Sequence, residues 1–125
     1  MEIKTGVDII EIKRVKESIE STNKEFCKRV YTDAEIKFCE NKKNQKYQHY
    51  AARFAGKEAV FKAISSILEN KYEISWKDIE ILNYEDGKPY VKIPEKYMKK
   101  IGDIDISISH CKEYAIANVV VIINN

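Results

Sequence analysis

The segment from Tyr47 to Leu68 constrains the fold of this chain more than any other. It contains no proline and one glycine, is dense in Ala, Phe and Ile, and is long enough for about six helical turns. It is predicted to form a central helix. Wound at about 100° per residue, it sets Tyr50, Phe54, Val60, Phe61, Ile64, Ile67 and Leu68 on one broad apolar arc, the expected core face. Glu58 and Lys62 fall on the flank of that arc, one turn apart and within reach of the same small volume. Ala51 and Ala55 lie beneath them and are expected to leave room for something to approach. Arg53 and Lys57 fall inside the arc, where an unpaired charge is expensive. Each needs an anion, a partner chain or a route that carries its head to water.

A helix of this kind needs a surface to pack on, and the flanking segments supply one. Ile3 to Ile12 carries the β-branched cluster Val7-Asp8-Ile9-Ile10 and reads as a strand, with Asp8 a lone charge that something must compensate. Ile12, Val15 and Ile19 then recur at helical spacing with Lys13, Arg14, Lys16 and Glu17 between them, predicting a short helix with a largely basic outer face. Thr32-Asp33-Ala34-Glu35 fits a capping box that opens a second short helix through Ile36 and Cys39. Ile79–Leu82 and Tyr90–Ile93 alternate on either side of an Asp86-Gly87 turn and read as a hairpin. Pro94 can open a brief helix through Ile101. Ile104–His110 alternates strictly, and the nearly continuous β-branched and small residues of Tyr114–Ile123 predict a central strand. The expected class is α+β: an antiparallel sheet packed on one long central helix, with short covering helices.

At 125 residues the chain fits one domain, residues 1–125, and its two prolines and four glycines mark no linker or repeat. The formal net charge of +2 does not resemble that of a general nucleic-acid binder, so an anionic partner must be met locally. Cys27, Cys39 and Cys111 are odd in number and lack CxxC spacing, which argues against a disulfide framework and against zinc. A reducing, cytoplasmic setting is expected. No apolar run reaches membrane-spanning length, and Met1-Glu2-Ile3-Lys4 lacks the apolar core of a signal peptide, so no membrane association is expected.

Taken singly, the chemistry-bearing residues have ordinary readings. Glu58 and Lys62 could be a surface ion pair, Asp8 a hydrogen-bonded carboxylate, Arg53 and Lys57 cations whose heads reach water, and His110 a strand-end histidine. Taken together, two separated carboxylates with Lys, Arg, Ser and His nearby supply a metal site and a set of oxyanion donors. That is the inventory of phosphoryl-group transfer.

Four motifs occur in one order: Gly6-Val7-Asp8-Ile9-Ile10-Glu11-Ile12, Arg53-Phe54-Ala55-Gly56-Lys57-Glu58-Ala59 with Lys62, Gly87-Lys88-Pro89, and Ser107-Ile108-Ser109-His110. In order and separation, over essentially the whole chain, they resemble the short 4′-phosphopantetheinyl transferases of the holo-acyl-carrier-protein synthase family. The resemblance implies that Asp8 and Glu58 ligate Mg²⁺, with the CoA pyrophosphate and water completing the shell. Lys62 would stabilise or protonate the departing 3′,5′-ADP, and Glu58 and Lys62 are the implied catalytic pair. Arg53, Gly87, Pro89, Ser109 and His110 match positions around the CoA nucleotide and its phosphates. Arg14 matches a residue that meets the acidic helix of acyl carrier protein. The implied reaction, in fatty acid biosynthesis, is attack by a serine of apo-acyl carrier protein on the β-phosphorus of CoA. The base is open between Glu58 and a water on the metal.

Two departures stand out. The longer, two-halved transferases carry a third acidic ligand where this chain has Ile10, and many relatives have alanine where it has Gly56, by drift or by tight packing. Because short members are similar to half of a longer enzyme, the resemblance implies a homotrimer in which the Asp8–Glu58 side of one chain faces the Ser109–His110 side of its neighbour. One or both of Arg53 and Lys57 would then be covered by ligand or by the adjacent subunit. A non-catalytic CoA- or nucleotide-binding module and a small Mg²⁺-dependent phosphoester hydrolase are the alternatives. All of Asp8, Glu58 and Lys62 are present, against the first, and the second leaves the basic surface around Arg14 without a role.

Overall fold

Strict alternation of side chains at the two ends of the chain builds one sheet. The computed structural model describes residues 1–124. Strand β1 (Glu2–Glu11) pairs antiparallel with β5 (Tyr114–Ile123), which pairs antiparallel with β4 (Ile101–His110), so β5 is central, as its apolar run predicts. Helix α1 (Ile12–Ser21) follows β1 directly and buries Ile12, Val15 and Ile19; α2 (Glu25–Val30) and α3 (Asp33–Glu40) continue the cover. Helix α4 (Lys46–Ile64) crosses one face of the sheet. Strands β2 (Glu80–Asn83) and β3 (Pro89–Lys92) form a separate hairpin, and α5 (Glu95–Met98) leads into β4.

Several boundaries differ from expectation. Helix α4 ends at Ile64 and tightens into a 3₁₀ turn over Ser65–Ile67, because the Ser65 hydroxyl donates back to the Lys62 carbonyl and competes with the helical pattern. Helix α5 is a single turn, and β4 begins at Ile101, whose register partner is Ile123 at the far end of β5. The Thr32–Glu35 capping box forms as predicted.

The buried face of α4 also differs from the aromatic arc. Phe54, Phe61, Ile67 and Leu68 are half-buried, while Ala51, Ala55, Ala59 and Ala63 are sealed against the sheet. The alanines therefore admit β-structure, and Ala51 and Ala55 leave no room for a ligand. Gly6 makes this approach possible: a Cβ there would lie 1.9 Å from the Ala59 carbonyl oxygen, so β1 passes α4 backbone against backbone. Gly56 is explained by packing, since a Cβ would meet Ile106 and Ile81 at 3.3 Å.

Candidate functional site

Strand β1 carries Asp8 on its helix-facing side, beside the C-terminal half of α4. Lys62 answers the lone carboxylate: its Nζ lies 3.2 Å from Asp8 Oδ1 and donates to the Val7 carbonyl at 2.9 Å. Asp8, Glu58 and Arg14 line one cavity of about 440 Å³, walled in part by Phe26 and Phe54, whose rings stack 5.9 Å apart. Burial first, and then the charge of Asp8, raise the Glu58 carboxyl above the usual carboxylate range; Lys62 partly offsets them. Two carboxylates thus share one ammonium.

That charge imbalance fits a divalent cation, and hard carboxylate oxygens suit Mg²⁺. No group of three or more His, Cys, Asp or Glu side chains able to hold a metal forms among the described residues. A cation here would have Asp8 and Glu58 as its protein ligands and take the rest of its shell from substrate and water.

A second cleft of about 420 Å³ collects four of the five residues expected around the nucleotide: Arg53, Gly87, Pro89 and His110. Ser109 does not line it; strand alternation turns that side chain to the opposite, exposed face of β4. Gly87 adopts φ +92°, the left-handed conformation that the Asp-Gly turn requires. Sequence reasoning passed over His49 and Lys42, which line the same cleft. The signal for His49 was available, since it lies one helical turn before Arg53 and so shares its face. Its ring stands 6.1 Å from that of His110. Burial, with the charges of Lys42, Arg53 and His110, holds the His49 imidazole down to about 4. The cleft is receptive to anions. Among the described residues, the two clefts have no lining residue in common.

The expectation that ligand or a second subunit covers one or both of Arg53 and Lys57 needs correction for Lys57, which the chain covers completely; the chain covers most of Arg53 and leaves it an edge on the second cleft. Arg53 is 3% exposed: its Nη2 donates to Asn83 Oδ1, and its guanidinium lies 4.0 Å from the centre of the Phe38 ring. Lys57 is 0% exposed, with Nζ 2.7 Å from Glu35 Oε1, and it donates to the carbonyls of Trp76 and Ile79. All three ammonium protons are used. Glu35, the capping-box residue of α3, also accepts from the backbone N–H groups of Thr32 and Ile81, both at 2.9 Å.

Comparison with known proteins finds relatives that span nearly the whole chain. A holo-[acyl-carrier-protein] synthase of Ruminiclostridium cellulolyticum is 44% identical over 97% of this chain and 92% of its own length. The corresponding protein of Chloroherpeton thalassium is 41% identical over 95% of this chain and 97% of its own. Among solved structures, the Helicobacter pylori holo-[acyl-carrier-protein] synthase in complex with coenzyme A is 32% identical, with a TM-score of 0.81 over 94% of this chain and 98% of that one. The Bacillus anthracis holo-(acyl-carrier-protein) synthase in complex with CoA (3′,5′-ADP) is 33% identical, with a TM-score of 0.78 over 94% of each chain. The family profile matches residues 4–119, and the chain belongs to the 4′-phosphopantetheinyl transferase superfamily.

Proposed function

We propose that this chain is a holo-[acyl-carrier-protein] synthase, transferring the 4′-phosphopantetheine arm of CoA to a serine of apo-acyl carrier protein. The observation that carries the reading is the meeting of Asp8, Glu58 and Lys62 beside one cavity that Arg14 also lines. The serine Oγ attacks the β-phosphorus of CoA. A phosphodiester bond forms, the pyrophosphate P–O bond breaks, and 3′,5′-ADP leaves.

Each residue has a role in this scheme. Asp8 and Glu58 would hold Mg²⁺, which would supply positive charge to neutralise the pyrophosphate. Asp8 is engaged by Lys62, and the hydroxyl proton goes to Glu58 or to a water that the metal would hold. Lys62, half exposed beside Asp8, exchanges that contact for the departing phosphate. Arg14, exposed on α1, meets the acidic carrier. Arg53, Gly87, Pro89 and His110 receive the CoA nucleotide, and Ser109 serves a neighbouring chain.

Because the carboxylate cavity and the anion cleft are separate within one chain, we assign the working form to a homotrimer whose sites lie between subunits. The setting is the cytoplasm, and no helix among the described residues is long and apolar enough to cross a membrane. Incubation with CoA, Mg²⁺ and apo-acyl carrier protein, read by intact mass, should add one phosphopantetheine to the carrier and release 3′,5′-ADP. An unmodified carrier beside an active control enzyme would refute the transferase reading. Release of 3′,5′-ADP without any carrier would favour a hydrolase instead.

A further inference from the structure

Asn83, the last residue of β2, ties together two parts of the anion cleft that belong to different elements. Its side-chain oxygen accepts from Arg53 Nη2 on α4, and its side-chain nitrogen donates to the Gly87 carbonyl at 2.9 Å. The amide does both, whereas a carboxylate has no donor and an alkyl group has neither function.

The position within the hairpin gives the second bond its weight. Asn83 is the register partner of Pro89 and, next to the Tyr84–Lys88 bonded pair, falls at a non-hydrogen-bonded step, so no backbone bond joins the two strands there. The turn beyond it is closed by Tyr84 N–H donating to the Lys88 carbonyl and Gly87 N–H donating to the Tyr84 carbonyl, both at 2.9 Å. The Asn83 side chain adds a bond from the strand end to the turn residue that lines the cleft.

On the other side, the Arg53 guanidinium lies against the Phe38 ring, and its Nε has no partner among the described residues. The bond to Asn83 is the contact that fixes the rotation of the planar fork. Asn83 therefore determines both where the turn stands and how the arginine faces it.

We propose that Asn83 is a positioning residue for CoA, holding the Arg53 guanidinium and the Gly87–Pro89 turn in a fixed relation so that both meet the same anionic nucleotide. This rests on the assignment of that cleft to CoA. The test is steady-state transfer to apo-acyl carrier protein with Asn83→Ala and Asn83→Asp, alongside CoA binding by calorimetry. Asn83→Ala is expected to raise KM for CoA about tenfold while kcat and KM for the carrier stay within about twofold, because the reacting groups lie in the other cavity. Asn83→Asp keeps an oxygen for Arg53 but loses the donor to Gly87, and its KM for CoA is expected to rise comparably. An unchanged KM for CoA in Asn83→Ala overturns the proposal, as does a parallel fall in every parameter, which marks a merely structural role. Full rescue by Asn83→Asp reduces the residue to an acceptor for Arg53 and overturns the bridge. Wild-type protein that binds no CoA overturns the assignment of the cleft, and this inference with it.

Discussion

Glu58 sits where its charge is unwelcome, and that has opposite consequences for stability and for function. Burial and the charge of Asp8 raise its carboxyl, so the folded chain holds that proton more tightly than the unfolded chain does. An acid raised on folding contributes stability while it is protonated, and that contribution is lost as pH rises through the folded-state value. Glu58→Gln removes the titration. In EDTA at neutral pH this variant should therefore melt about 1–3 °C above wild type, a difference that shrinks as the medium is acidified and Glu58 is neutralised anyway. Millimolar Mg²⁺ should narrow the gap from the other side, because only the wild type keeps both carboxylates for the cation. Transfer to the carrier should be abolished throughout. A variant that melts below wild type in EDTA, or that retains transfer, would contradict the strained-carboxylate account.

Between elements, the Lys57–Glu35 pair joins α4 to α3 and to the segment leading into β2. Its seclusion from water predicts a sharp asymmetry. Lys57→Met leaves Glu35 buried with two backbone donors but no countercharge, and should cost about 3–5 kcal/mol in urea denaturation. Adding Glu35→Gln to Lys57→Met should recover at least about 1 kcal/mol relative to the sum of the single losses. Strict additivity would show that the ammonium and carboxylate do not act as a pair. Helical winding places Lys57 in an apolar arc and so flags a cation in need of a partner. It does not say which partner, because Glu35 already has a sufficient local explanation as the third residue of a capping box. Only the tertiary fold makes the same carboxylate cap a helix, pair with a lysine and accept from Ile81. Asp8 was easier: a single acid in a β-branched run demands a compensating group, and Lys62 is that group. The alanines of α4 do admit a close approach, but small residues allow it equally to a ligand and to a strand, and the sequence names neither. At Ala59 and Ala63, Gly6 of β1 shows that the strand takes the space.

At the scale of the whole molecule, the sheet has one face on α4 and one without cover. Ile3, Val7 and Ile9 of β1 are 68%, 53% and 62% exposed, and Ile116 and Val120 of β5 are each 38% exposed. Register sets Ile9 beside Ile116, and Ile116 beside Ser109 of β4, so the apolar strip runs across all three strands to the serine that lines neither main cleft. Such a patch on a charged chain suits the docking of the neighbouring copies in the proposed homotrimer. Ile9 and Tyr114 belong both to this exposed face and to the wall of the Asp8–Glu58 cavity, so a copy seated on the face would reach the cavity mouth. The four motifs made this arrangement legible as a resemblance, but no periodicity within one chain could, because in the proposed homotrimer the complementary half of the site comes from another copy. Light scattering on the purified protein should accordingly give three times the protomer mass. Sharing of sites has a stricter consequence. Glu58→Gln and His110→Ala should each be inactive as homotrimers, yet mixed in equal amounts through a mild unfolding and refolding step they should regain about a quarter of wild-type activity. That is the fraction of interfaces at which an intact Glu58 from one chain meets an intact His110 from the next. Mixtures as inactive as their components would place Glu58 and His110 of each site in the same chain. Full activity in a species of protomer mass would remove the trimer altogether.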